Sequence, residues 1–209
     1  MGNLRKPIAQ HGCIPFWWIS ELEKTALHTE SVAFESEVNL TEDYVQIVYP
    51  VRKAFLKDHN LDTIAYPQRS FPQLHVPFET NRLDFSTFLH TPHHLQVYAK
   101  TWIEVEQDGV YPFELYTCGG MVLWVDGHKE VVFSPFTRNI VQCMPAELSL
   151  EKGIHELVLY AEELAERDVL FSIELRYTGF LPLVNMVAID QDAAELYRGM
   201  ELLKSLHFE

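Results

Sequence analysis

Residues 111–129 read YPFELYTCGGMVLWVDGHK, and the fold class is decided there. Residues 110–117 alternate apolar and polar positions, the two-residue period of a half-buried strand. The Gly119-Gly120 pair relaxes the backbone before a second apolar run from Met121 to Val125. Asp126-Gly127 then closes a tight turn into a third extended run over 129–133, a strong hairpin signal.

Working outward, residues 95–105, LQVYAKTWIEV, show the same alternation, and Gln107-Asp108-Gly109 supplies a turn of the kind a hairpin requires. Downstream, a run over 146–150 is followed by Glu151-Lys152-Gly153, a strand-like stretch over 154–160 and a last one over 169–177. Turns recurring every 8–12 residues or so predict an all-β, antiparallel β-sandwich. Residues 161–168, AEELAERD, suit a single helical turn as well as a strand-edge loop.

The flanks differ from this core. Residues 40–48 read as a strand, while Pro67, Pro72 and Pro77 imply a loop-rich passage with few ladder hydrogen bonds. At the other end Ala193, Leu196, Met200, Leu203 and Leu206 recur every three or four residues, so they fall on one helical face with Asp190 as the N-cap. The expected organisation is an irregular N-terminal part with some strands over 1–94, packed on the same domain, a sandwich core over 95–180, and a C-terminal amphipathic helix over 181–209 that either packs back on the sheet or forms a joint to a further domain.

Thirty acidic residues against sixteen basic ones give a formal net charge of -14, a field that repels phosphate backbones and anionic membrane surfaces. Nucleic acid and membrane are therefore not expected partners. No window approaches the ~20 apolar residues of a membrane-spanning helix. Pro7, Gln10, His11, Gly12 and Pro15 interrupt any signal-peptide core near the start. Cys13, Cys118 and Cys143 are odd in number and lack the paired spacing of zinc sites, which fits reduced thiols in a cytoplasmic protein.

The order of elements over 111–129, together with LEKGIHELVL over 150–159, resembles the galactose-binding-like sandwiches (a jelly roll) and the protective-antigen-type lectin modules attached to glycoside hydrolases. The resemblance covers 95–177 and implies an accessory, carbohydrate-binding role. Residues 117–120 hold no adjacent pair of aspartates where those modules usually hold calcium, and no cofactor is expected.

The residues expected to touch a ligand are Trp124, Asp126, Arg138, Asn139 and Asp168. An arginine, an amide and a carboxylate hydrogen-bond sugar hydroxyls, and an indole stacks on a pyranose face. The competing reading has Arg138 and Asp168, or Glu166 and Arg167, as ion pairs that fix long loops. His90, His93 and His94, with His75, are weak metal candidates, because Pro92 disfavours a helix and neighbouring strand residues point to opposite faces. Glu104, Glu106, Glu114 and Glu174 sit at alternating positions that a solvated face explains without catalysis. Cys118 beside the glycine pair reads as an inert buried thiol before it reads as a nucleophile. Phe16-Trp17-Trp18 reads as a plug of the core or a contact to another domain.

Three functions follow: a non-catalytic accessory module that binds glycan or supports an adjacent catalytic domain, a small hydrolase using a carboxylate pair or the histidines, and an oligomerisation module forming a homo-oligomer through the terminal helix and the tryptophans.

Overall fold

A computed structural model of the chain describes residues 2–27, 50–76 and 81–205. The strand expected over 40–48 lies outside the described residues, as do Pro77 and Leu206. In chain order the elements are β1 (Gly2–Pro7), β2 (Gly12–Cys13), β3 (Trp17–Ile19), β4 (Glu23–Ala26), α1 (Pro50–Asp58), β5 (Gln73–His75), β6 (Leu83–Asp84), β7 (Thr87–Phe88) and β8 (His93–Val105). They continue as β9 (Gly109–Thr117), β10 (Gly120–Val125), β11 (His128–Phe133), β12 (Gln142–Leu150), β13 (Gly153–Ala165), β14 (Asp168–Val169), β15 (Ser172–Tyr177), β16 (Leu183–Ile189) and α2 (Gln191–Ser205). Among the described residues no helix is long and apolar enough to cross a membrane.

The strands form an all-β sandwich of antiparallel sheets. One sheet runs β1-β16-β8-β13-β10-β11, with β3 and β4 also on β8, and the facing sheet runs β12-β9-β15-β2. The core between them takes Leu95, Val97 and Ile103 from β8, Leu123 from β10 and Leu159 from β13 on one side. Tyr111, Phe113 and Leu115 of β9 and Leu175 of β15 close it from the other.

Asp126-Gly127 is the expected hairpin: β10 pairs with β11, Val125 opposite His128, and both turn residues have positive φ (49° and 82°), as a two-residue primed turn requires. The other turns have a different role. Residues 106–108 join β8 in one sheet to β9 in the other, and the glycine pair and Glu151-Lys152 also cross between sheets. Alternation marks a strand with one face inward; it does not tell whether the next strand lies beside it or across the core, and here β8 takes β13 along its whole length.

Residues 161–165 extend β13 and form no helical turn. Their helix-favouring Ala, Glu and Leu are overruled by thirteen ladder positions against β8. Residues 183–189 are likewise a strand, so the helix begins only at Gln191 and is described as far as Ser205. Asp190 caps it, its Oδ1 accepting from the Ala193 N–H at 2.8 Å. The inward face is Ala193, Ala194 and Tyr197, packed on Leu4, Phe16, Val187 and Ile189, while Leu196 is 68% exposed. Of the expected stripe Ala193, Leu196, Met200, Leu203 and Leu206, Ala193 lies on the inward face and Leu196 does not, because the Phe16 ring, edge-on to Tyr197 at 5.8 Å, sets the face.

Phe16 and Trp17 are buried. The Trp17 indole N–H donates to the Ile14 carbonyl at 2.8 Å and the Trp18 indole to the Ala188 carbonyl at 3.1 Å, so the tryptophans seal the sheet from the side of the N-terminal strands. At the open edges, β12 carries Pro145 and Glu147, residues that block strand addition. Leu123 touches the core of both sheets, so Leu123→Ala should cost about 3 kcal/mol in urea unfolding, whereas Leu196→Ala should stay within about 0.5 kcal/mol.

Candidate functional site

Polar side chains concentrate at both ends of β10. At one end is a cleft of about 430 Å³ between the edge strands β11 and β12, lined by Asp126, His128, Glu130, Glu147, Ser149, Glu151 and His155 over an apolar floor of Val125, Leu148 and Leu150. Asp126 is held rigidly in its wall. One carboxylate oxygen accepts the Glu156 N–H at 2.8 Å and the other contacts His155 Nδ1 at 2.6 Å. The second ring nitrogen of His155 faces the Glu151 carbonyl at 2.7 Å. Acceptors on both nitrogens call for two N–H donors, which is the imidazolium. Burial works against that charge, but the Glu151 carbonyl and the Asp126 carboxylate outweigh it and raise the His155 pKa.

The second place lies where β13 meets α1. Glu162 and Glu163 are adjacent on a strand, so they point to opposite faces, and both are fully buried. On the outer face, Glu162 meets His94 Nε2 at 2.8 Å, contacts His59 Nε2, and accepts from the Tyr160 hydroxyl, which itself takes a hydrogen bond from Gln96 at 2.6 Å. Burial pushes the Glu162 carboxyl up, yet the bonds from His94 and Tyr160 and the imidazoles nearby hold it below its usual range. On the inner face, Arg52 of α1 reaches Glu166 Oε2 at 2.9 Å, Glu163 Oε1 at 3.4 Å and the carbonyls of Phe136 and Leu164. Glu163 Oε2 and Glu166 Oε1 are buried without a hydrogen-bond partner. Burial pushes the Glu163 carboxyl up to about 7 despite Arg52 and its own backbone contact.

The glycine pair belongs to this second cluster. A Cβ on Gly119 would sit 1.9 Å from the Glu162 carbonyl oxygen, and one on Gly120 2.8 Å from Glu162 Oε1 and 2.9 Å from Leu61. Close approach of the crossover to β13 is what requires glycine there. Burial, with the Glu163 charge, pushes the neighbouring Cys118 thiol up to about 11, the condition of an inert thiol.

The residues expected at a ligand site are divided between these ends, about 17 Å apart at the strand rise of about 3.3 Å per residue. Asp126 lines the cleft. Trp124, expected to stack on a sugar, is 2% exposed: it lies on the outer face of β10 beneath Leu61, Ile64, Tyr66 and Phe71, with the Tyr66 ring edge-on at 6.1 Å. Asn139 and Asp168 do meet, but through the backbone. The Asn139 amide donates to the Asp168 carbonyl at 3.3 Å and accepts the Leu170 N–H at 2.7 Å, tying one loop to another. Arg138 and Asn139 both have positive φ in that loop (44° and 62°). Glu166 pairs with Arg52 and not with Arg167.

The histidines do not converge either. His93 Nδ1 faces the Thr91 carbonyl at 2.7 Å, His90 lies edge-on to Phe88, and His94 turns to Glu162. Among the described residues no three His, Cys, Asp or Glu side chains are placed to hold a metal ion. Arg52, His59, Glu162 and Glu163 were not anticipated. Two signals bear on them: Pro50, which suits the first position of a helix, and two consecutive glutamates inside a strand flanked by apolar residues.

No family model matches the chain, and no curated protein matches it. Among solved structures it is similar to the PA14 sugar-binding domain from an RTX adhesin, with 20% identity and a TM-score of 0.33 over 43% of this chain and 49% of that one. It is also similar to a family 35 carbohydrate binding module from an environmental isolate, with 10% identity and a TM-score of 0.34 over 61% and 88%. A third is the GH31 alpha-xylosidase of Xanthomonas citri, with 20% identity and a TM-score of 0.33 over 51% and 13%. The chain thus spans about half of the adhesin domain and a small part of the xylosidase. These neighbours are sugar-binding and glycosidase-related chains.

Gly119→Ala should be among the most damaging single-methyl additions in the molecule, because the clash is with backbone. Thermal unfolding should show a loss of at least about 2 kcal/mol, while Gly199→Ala, whose new methyl meets nothing within 4 Å inside α2, should gain about 0.5–1 kcal/mol.

Proposed function

We propose that the chain is a non-catalytic accessory module of a carbohydrate-active protein, and that glycan contacts the cleft between β11 and β12. The observation that carries this reading is the cleft itself. Its volume of about 430 Å³ suits a small-molecule site, and exposed carboxylates of Glu130, Glu147 and Glu151 with the Ser149 hydroxyl face it over apolar side chains. Carboxylate oxygens accept from vicinal hydroxyls, and a sugar offers both a hydroxyl rim and an apolar face. The sequence resemblance over 95–177 supports carbohydrate as the hydroxyl-rich ligand. With Trp124 buried, the apolar contact falls to Val125, Leu148 and Leu150.

The buried pair Glu162 and Glu163 does not supply a hydrolytic site, because the two lie on opposite faces of β13 and turn their charge to His59, His94 and Arg52. A glycosidase needs two carboxyl groups facing one bond. Support of a neighbouring domain or a second copy is a further reading, favoured by Leu196 and Leu202, each 68% exposed on α2. A cytoplasmic location belongs to the same proposal and rests on three unpaired cysteines, of which Cys143 is exposed.

A glycan array followed by calorimetry tests the reading. A binding sugar is expected, with affinity falling tenfold or so on Glu147→Gln, a change at an exposed side chain that leaves stability within about 0.5 kcal/mol. Silence across neutral, acidic and amino sugars, or binding untouched by Glu147→Gln, would remove the cleft from consideration.

A further inference from the structure

The cleft between β11 and β12 has a one-sided polar lining. Four of its side chains are carboxylates, Asp126, Glu130, Glu147 and Glu151, and no lysine or arginine is among the described residues that line it. Asp126 is matched by His155, whose ring bridges it to the Glu151 carbonyl. Glu130, Glu147 and Glu151 are exposed, and among the described residues none of the three forms an ion pair. One imidazolium thus stands against four carboxylates, and a charge on the His128 ring as well would still leave an excess of negative charge.

The backbone puts that charge there. β11 pairs Lys129 with Trp124 and Val131 with Leu123, so Glu130 is the extra residue of a bulge, with no partner on β10. A bulge re-aims the side chain it inserts, and here Glu130 lines the cleft. Lys129, one residue earlier, goes to the outer face of the sheet: its ammonium donates to the Asp62 carbonyl at 2.7 Å and lies 5.9 Å from the centre of the Trp124 ring. The glutamate is kept at the cleft and the lysine beside it is kept out. On the opposite wall the alternation of β12 leaves Glu147 and Ser149 exposed above the buried Leu148 and Leu150.

Hydrogen-bond chemistry narrows the ligand further. A carboxylate only accepts, an ammonium offers three donors and no acceptor, and a hydroxyl does both. Both ring nitrogens of His155 are engaged, so the side-chain donors left for a ligand are the Ser149 hydroxyl and the His128 ring. The acceptor oxygens of a neutral sugar find little here. A uronic acid would add a like charge to the excess, inside a molecule whose formal net charge is -14. An ammonium on the sugar instead makes charge-assisted hydrogen bonds to the carboxylates, roughly twice as strong as neutral ones.

We propose that the ligand of this cleft is an amino sugar with its amine free, the ammonium placed among Glu130, Glu147 and Glu151 and the ring over Val125, Leu148 and Leu150. This rests on the cleft being a glycan site and adds to it the sign of the ligand's charge. Selectivity comes from electrostatics at an open edge, so it weakens when salt screens the carboxylates.

Calorimetry of the full chain with a matched pair of probes tests this: the dimer of glucosamine, and the same dimer N-acetylated, which keeps the rings and loses the charge. In a mildly acidic buffer of low ionic strength the free-amine dimer should bind about tenfold or more tighter. That ratio should shrink severalfold between about 0.02 M and about 0.5 M salt, and likewise on Glu130→Gln, a change at an exposed side chain. Equal binding of the dimers, tighter binding of the N-acetylated dimer or of a uronic acid, or a ratio unmoved by salt and by Glu130→Gln would overturn the proposal while leaving the cleft a glycan site. Putrescine, a diamine without a sugar ring, should bind far more weakly than the free-amine dimer; equal binding would also overturn the proposal, since charge alone would then be what the cleft selects. Silence of every sugar would remove the glycan reading of the cleft, and this proposal with it.

Discussion

Everything in this molecule depends on the burial of the strand pair β10–β13 on both faces. β10 has six residues and all six are buried, and nine consecutive positions of β13, 157–165, are buried as well. Inward side chains such as Met121, Leu123 and Leu159 pack against the facing sheet. Outward ones, Val122, Trp124, Val158 and Tyr160, are covered by Leu61, Ile64, Tyr66 and Phe71 from the chain's own earlier passage. A strand enclosed in this way has no face left for a ligand, and its aromatic side chains become core.

Enclosure imposes a condition on polar groups. Each must find a partner inside, since burial without one costs on the order of 1–3 kcal/mol and more for a charge. The outer face meets it through a relay from Gln96 to Tyr160 to Glu162. The inner face meets it only in part, through Arg52, and leaves two carboxylate oxygens unbonded. The polar groups that remain available to solvent are pushed to the edges, where β11 and β12 bound the cleft. Structure and proposed function are connected there: the fixed Asp126–His155 pair supplies a rigid wall because the hairpin beside it is anchored in the enclosed strand.

The legible parts of the sequence were those governed by neighbours along the chain. Alternation located β8, β9 and β15, Asp126-Gly127 announced its hairpin through the backbone conformation it needs, and Asp190 announced a cap. What could not be read depends on contacts distant in sequence. Whether a turn folds a strand back or sends it across the core is decided by partners distant in the chain, such as β13 on β8, where Gly153 lies opposite Val105 and Ala165 opposite His93. Trp124 resembles an exposed platform until residues 61–71 are laid over it. Gly119-Gly120 read as turn chemistry, and their real determinant is the Glu162 carbonyl against which no Cβ fits.

The account is most directly tested by the unfolding free energy of Trp124→Ala. If β10 is enclosed on both sides, removing the indole leaves a cavity under Tyr66 and Leu61, and the loss should be about 3–5 kcal/mol. A loss below about 0.5 kcal/mol would mean that Trp124 stands in solvent, and the enclosed strand from which the rest is argued would not exist.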